Sequence, residues 1–241
     1  MDPATPSVPP LPAPGREGKD AALVQTMFDR VAPRYDLANT ILSVGQDAHW
    51  RRVAAVAAQP IGSLVLDAAA GTGVLARELL EQGAAGVVAA DLSHRMLTAG
   101  RGDRIVRVNA DALRLPFPDG LFDAVTIGFG LRNLSDPEAG LREFARVTRP
   151  GGRLVVLEFS QPTWPPFRRL YLDYLVRVLP NIAGALSPDP GAYRYLADSI
   201  LLWPDPHGLA RTVASNGWEQ VRFRALSGGI VAVHRARRPV A

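Results

Sequence analysis

The stretch LVLDAAAGTG, residues 64–73, runs an apolar segment into an acid, Asp67, and then into a turn of small residues that carries Gly71 and Gly73. A glycine-rich turn between a strand and a helix lets the backbone come close to a ligand at the carboxyl end of a sheet. The stretch therefore predicts the first strand-turn-helix unit of an α/β fold. Working outward, helical spacing appears at 21–32 (Leu23, Met27, Val31) and at 46–58, which stops before Pro60. The chain then alternates: strand 63–68, helix 74–82, strand 86–91, helix 94–101, strands 104–109 and 122–129, helix 137–148, strand 152–159. Val87-Val88-Ala89-Ala90 and Leu154-Val155-Val156-Leu157 are apolar on both faces, as expected when helices cover both sides of a parallel sheet. Beyond residue 160 come an aromatic-rich helical stretch at 164–182, helices near 190–202 and 206–216, and strands at 218–226 and 228–235. A tight connection at Ser227-Gly228-Gly229 joins only antiparallel neighbours, so the sheet is expected to finish with one reversed strand.

Composition narrows the function classes. The chain has 241 residues and 47% hydrophobic residues, enough for one domain with a substantial core. Arg and Lys exceed Asp and Glu by 27 − 23 = 4, and the basic residues are scattered, with no run longer than pairs such as Arg51-Arg52 and Arg237-Arg238. No nucleic-acid stripe is expected. The absence of cysteine removes disulfides, thiolate nucleophiles and Cys-ligated metals, fits a cytoplasmic protein, and leaves no metal site expected. Residues 1–18 hold six prolines with neither a basic start nor an apolar core, which reads as a disordered tail rather than a signal peptide. Residues 19–241 then form a single domain: N-terminal helices at 19–60, a ligand-binding core at 61–160, helices over the substrate opening at 161–216, and a terminal hairpin at 217–238. No uninterrupted apolar run is long enough to cross a bilayer.

The turn itself suggests a ligand. Dinucleotide-binding turns carry three glycines beside a pyrophosphate, whereas here Ala76 stands third. The charge of Asp67 is ill placed beside a diphosphate and well placed beside a cation such as a sulfonium or an amino group. A plain structural turn is the competing reading. Asp91 ends the second predicted strand, 20 residues after Gly71, where a carboxylate accepts hydrogen bonds from both hydroxyls of a ribose. It could instead cap the helix beginning at SHRML, but Ser93 is the better cap. Asp111, in VNADALRLPF, is placed to meet the exocyclic amine of an adenine or simply to form a turn.

The ordered set Asp67, Gly71, Gly73, Asp91, Asp111 resembles the S-adenosylmethionine site of class I methyltransferases. Longer segments sharpen the likeness: MFDRVAPRYDLANTILSVGQDAHWRR (27–52), LDAAAGTG (66–73), the run from LPFPDG to LEFSQP (115–162), YRYLADSI (193–200) and SGGIVAVHRA (227–236). Across residues 24–236 the chain resembles the menaquinone and ubiquinone C-methyltransferase family. The resemblance implies a class I Rossmann-like α/β fold with a seven-stranded, mostly parallel sheet, S-adenosylmethionine as cofactor, and a reduced prenylated quinone as acceptor. It makes Thr72, Asp91, Leu92, Asp111 and Ala112 cofactor contacts. Related sequences often read ISFGLRN where this chain has IGFGLRN, so a serine contact is missing at Gly128 and only its backbone can serve.

The implied chemistry needs no metal, because a sulfonium is already a strong methyl donor and the task is to make carbon nucleophilic. A hydroquinone that loses a phenolic proton places charge on a ring carbon, at a cost of about 4 kcal/mol at pH 7 for a phenol of ordinary acidity. Arg132 in GFGLRN is the first choice to stabilise that phenolate, with Asn133 orienting the ring, and His234 or water taking the proton. Tyr35 and His49, on the helices before the sheet, are further candidates, each with a packing role as the alternative. The segment from Trp164 to Val178 interleaves aromatics with Arg168, Arg169 and Arg177, which suits either core packing or a peripheral membrane contact that serves a prenylated substrate. Three other readings stay open. A nicotinamide oxidoreductase would share the turn, but the chain lacks a Tyr-x-x-x-Lys pair, its one lysine being Lys19. A methyltransferase of another small aromatic or lipid acceptor keeps the cofactor site, and a catalytically silent binding protein keeps only the fold.

Overall fold

The computed structural model describes residues 22, 24–26, 29, 40, 43–100, 104–174 and 190–240. The expected tail at 1–18, Tyr35, and the part of the aromatic stretch beyond Tyr174 lie outside these residues. The described residues between 22 and 29 are helical. From there the elements run α1 (Gln46–Ala58), β1 (Leu64–Ala68), α2 (Val74–Glu81), β2 (Gly86–Asp91), α3 (His94–Ala99), β3 (Ile105–Asn109), β4 (Phe122–Gly128), a 3-10 turn (Leu131–Asn133), α4 (Pro137–Val147) and β5 (Thr148–Phe159). They continue through α5 (Pro165–Asp173), α6 (Pro190–Leu201), α7 (Pro206–Ser215), β6 (Glu219–Leu226) and β7 (Val231–Arg237).

One seven-stranded sheet has the order β3-β2-β1-β4-β5-β7-β6. Strands β1 to β5 pair in parallel, and β7 runs antiparallel to both β5 and β6. The reversed strand is thus the last in sequence but not the edge of the sheet: Phe159 pairs with Val231 and Arg153 with Arg237, which leaves β6 outside. The link at Ser227–Gly229 turns through left-handed backbone, with φ of 70° at Gly228 and 95° at Gly229, where a side chain would be strained.

Alternation along each strand divides the core into two layers. On one face Val65, Val155, Leu157 and Val233 pack under α1 and α2. Ala54, Ala55 and Ala58 of α1 are fully buried, and their small side chains let that helix lie close to the sheet. On the other face Leu66, Phe122, Val156 and Trp218 pack against Phe144 of α4 and under α7. From β1 the chain winds outward to β2 and β3 and then crosses to β4 and β5 on the other side, so the order reverses between β1 and β4, and ligands of open α/β sheets bind in the crevice at that switch point.

Candidate functional site

A cavity of about 950 Å³, counting the space open at its mouth, lies at the carboxyl ends of β1, β2 and β4. Its floor is the turn after β1. Ala69, Gly71 and Gly73 all have positive φ, so the chain folds back sharply, and a side chain at Gly71 would meet the Met96 methyl at 3.2 Å. The turn is tied to β2 by the Ala70 N–H, which donates to the Ala90 carbonyl at 3.1 Å, and by one carboxylate. The backbone N–H of Gly71 donates to Asp91 Oδ2 at 2.7 Å, and that of Ser93 donates to Asp91 Oδ1 at 2.8 Å. Burial raises the Asp91 carboxyl, and the two N–H donors oppose the rise. Each carboxylate oxygen keeps a second acceptor position for a ligand hydroxyl. The capping alternative goes to Ser93, whose Oγ accepts the Met96 N–H at 3.0 Å. Leu92 lines the cavity beside Asp91, and the Asn109 side chain holds both of their carbonyls.

Thr72 lines the cavity at 5% exposure, whereas Gly73 lies behind the turn as the left-handed residue that starts α2. Asp111 and Ala112 form another wall. Asp111 is exposed and accepts the Leu113 N–H at 2.9 Å, so the turn-forming and ligand-facing readings of this residue coexist. Gly128 also lines the cavity, and a side chain there would press on Leu75 at 3.2 Å.

Asp67 is not part of the wall. It is 1% exposed beneath the turn, with Thr126 Oγ1 donating to Oδ1 at 2.8 Å. Burial pushes its carboxyl up to about 7. A group raised in the folded state contributes stability that is present below its unfolded value and lost as pH rises through the folded one. The wild-type protein is therefore expected to lose stability between about pH 4 and 7 relative to Asp67→Asn. Thermal melts of both proteins across that window check this, and parallel profiles would contradict it.

Beyond β4 the rim is shaped by Phe129, which is left-handed at φ 58° and packs in line with Trp50 and Phe159 at ring separations of 6.1 and 4.8 Å. Its carbonyl accepts from Arg132 Nη1 at 2.8 Å and from Asn133 Nδ2 at 3.1 Å. Asn133 lines the cavity. Arg132 does not. It is 4% exposed and its Nη1 lies 2.5 Å from Glu158 Oε1, itself 1% exposed on β5. The expectation that Arg132 meets the acceptor directly is corrected to an indirect position: its charge is taken by Glu158, and it reaches the cavity through the Phe129 carbonyl.

The two histidines are also displaced from the site. His49 is exposed on the outer side of α1. His234 pairs with Val156 in the sheet and faces the layer under α7, where Nε2 contacts the Pro206 carbonyl at 2.9 Å. The alternation of β7 puts it on the face away from α1, and burial holds its imidazole below the ordinary range. Tyr35 lies outside the described residues.

Among the wall residues that the sequence reading did not single out are Gln25, Arg51 and Phe129. A signal existed for Arg51. The buried stripe of α1 is Asp47, Trp50, Arg51, Ala54, Ala55 and Ala58, so an arginine sits on the face that should be apolar.

Comparison with known proteins adds family and fold. A model of the ubiE/COQ5 methyltransferase family matches residues 16–238. Demethylmenaquinone methyltransferase of Mycolicibacterium gilvum is 57% identical over 217 residues, which are 90% of this chain and 95% of the relative. Among solved structures, an S-adenosylmethionine-dependent methyltransferase from Thermotoga maritima superposes with a TM-score of 0.66 at 18% identity, covering 89% of this chain and 99% of that one. The [4+2]-cyclase SpnF gives the same score at 18% identity, covering 96% and 99%. The fold alone therefore does not fix the reaction.

Proposed function

Because the chain belongs to the ubiE/COQ5 methyltransferase family, we propose that it moves a methyl group from S-adenosylmethionine to a ring carbon of a reduced prenylated quinone, converting demethylmenaquinol to menaquinol. The observation that carries this reading is identity at more than half of the aligned positions, over nine-tenths of the chain, with a demethylmenaquinone methyltransferase.

The cavity's own chemistry fits the cofactor. Asp91, with both oxygens oriented by backbone N–H groups and a free acceptor position on each, suits a ribose diol, and Asp111 suits the adenine amine. Gly71 and Gly128 leave room where side chains would fill it. When bound, S-adenosylmethionine supplies a methyl group already activated by the sulfonium. What remains to the chain is to bind the acceptor as its phenolate, hold the ring in line, and keep water out. Asn133 is the polar side chain at the rim placed to orient a ring oxygen, and it is fixed by the Phe129 carbonyl and by the Tyr195 hydroxyl at 3.4 Å. Phe129 adds an apolar edge to this rim, its ring being packed among Arg51, Trp50 and Phe159. Arg132 and Glu158 keep this rim rigid.

No helix among the described residues is long and apolar enough to cross a membrane. The acceptor's prenyl tail nevertheless calls for contact with a bilayer at the cytoplasmic face. Support for such a contact comes from α5, where Leu170 and the preceding Trp164 are each 65% exposed beside Arg168 and Arg169.

The test is incubation of the protein with labelled S-adenosylmethionine and a panel of reduced and oxidised naphthoquinones and benzoquinones. Label is expected in the methylated naphthoquinol and not in the oxidised forms. Preference for a benzoquinol would point to a different acceptor. Cofactor binding without transfer to any member of the panel would overturn the enzymatic reading.

A further inference from the structure

Arg51 projects from α1 into the cavity wall, and the reaction as described gives it no task. It is 8% exposed, and among the described residues its Nε has no hydrogen-bond partner. Among the described residues, Asp47 stands 3.9 Å from Nε and is engaged by Ser43, whose hydroxyl lies 3.1 Å from Asp47 Oδ1, and the buried Asp67 attracts the guanidinium through its charge. The guanidinium is held over the Phe129 ring at 5.5 Å. A buried guanidinium presents five donors and a charge whose desolvation is costly unless an anion meets it. Here packing fixes the cation in place, and the described carboxylates meet it only loosely, Asp47 at the limit of an ion pair and Asp67 through space.

Charge decides which ligand group belongs beside it. Of the described residues lining the cavity, Arg51 is the only basic one; Asp91 and Asp111 are the acidic ones. The carboxylates suit hydroxyl and amine donors. Arg51 can only donate, and it repels a sulfonium. The one fixed anion on S-adenosylmethionine is the carboxylate of its methionine part, and the wall that Arg51 shares with Ala69, Ala70 and Phe129 adjoins the glycine turn.

Resting on the cofactor assignment above, we propose that Arg51 binds the methionine carboxylate of S-adenosylmethionine through a charge-assisted hydrogen bond, with Phe129 setting the plane of the guanidinium. The site would then read both ends of the cofactor: Asp91 the ribose and Arg51 the amino acid. Such recognition distinguishes the intact cofactor from nucleosides that share its adenosine half.

Titration calorimetry on the full chain tests this with two ligands, S-adenosylhomocysteine and 5′-deoxy-5′-(3-aminopropylthio)adenosine, which lacks only the carboxylate. The wild-type protein is expected to prefer the first by about 10- to 100-fold, the range for one hydrogen bond to a charged group. Arg51→Met, which keeps the stem and removes the charge, should lose that preference by weakening only S-adenosylhomocysteine, with affinity for the carboxylate-free analogue within threefold. Arg51→Lys should restore part of it. Equal weakening of both ligands would make Arg51 a packing residue, and an unchanged preference would move its charge to the acceptor or to the helix; either result overturns the proposal. If the methionine variant fails to fold, the lysine variant carries the same comparison, with a reduced preference expected. A wild-type protein that binds neither ligand would instead overturn the cofactor assignment itself.

Discussion

Replacing Arg132 with glutamine is expected to destabilise the fold by about 3–5 kcal/mol and to lower turnover by roughly 10²-fold or more. The stability loss follows from what stays behind. Glu158 is 1% exposed, and it receives both the Arg132 guanidinium at 2.5 Å and the Arg132 backbone N–H at 3.2 Å. With the guanidinium gone, a buried carboxylate has lost its counter-ion. The turnover loss follows from the Phe129 carbonyl, which Arg132 Nη1 holds at 2.8 Å together with Asn133. Phe129 sits in left-handed backbone that a bulky side chain does not favour, so the rim depends on those donors to keep its shape. Thermal melts should show a fall of roughly 10 °C. Changing both partners to apolar residues, Arg132→Met with Glu158→Leu, should recover much of the stability, because no charge remains buried alone. Activity that returned with stability in the double variant would limit Arg132 to structure; activity that stayed low would show that the rim needs its donors.

Asp91→Ala is expected to weaken cofactor binding by about 1–3 kcal/mol, read by calorimetry with S-adenosylhomocysteine. Two losses combine in this variant. A ribose would lose its acceptor, and the Gly71 N–H would lose one of the two bonds that tie the glycine turn to β2. Asp91→Asn separates them: its single carbonyl oxygen can accept from one backbone N–H but not from both Gly71 and Ser93, so an intermediate loss is expected. Unchanged affinity in the alanine variant would remove Asp91 from the site.

Much of this site was legible because it is local. Gly71 and Thr72 belong to one turn, and Asp91, Leu92, Asp111, Ala112 and Gly128 fall at or just past strand ends, where a parallel sheet gathers its ligand contacts. Once the strand-helix alternation is read, these positions converge without further information. Arg51 could have been found from its place on the buried stripe of α1, but no spacing rule says which cavity a helix of the opposite layer will face.

By itself the sequence determined the α/β alternation, the glycine turn after β1 and the reversal of the last strand, since each depends on neighbours a few residues apart: hydrophobic period, turn residues, strand length. The tertiary structure decided the rest. Whether His234 faces the cavity or α7 depends on the register of β7 against β5, and a shift of one residue would exchange the two faces. Whether Arg132 is a free cation or a buried pair depends on Glu158, 26 residues away on the next strand. Whether Asp67 touches a ligand or lies beneath the turn depends on how sharply Ala69 and Gly71 fold the chain over it. Burial and charge pairing arise between distant segments, so they become fixed only when those segments pack.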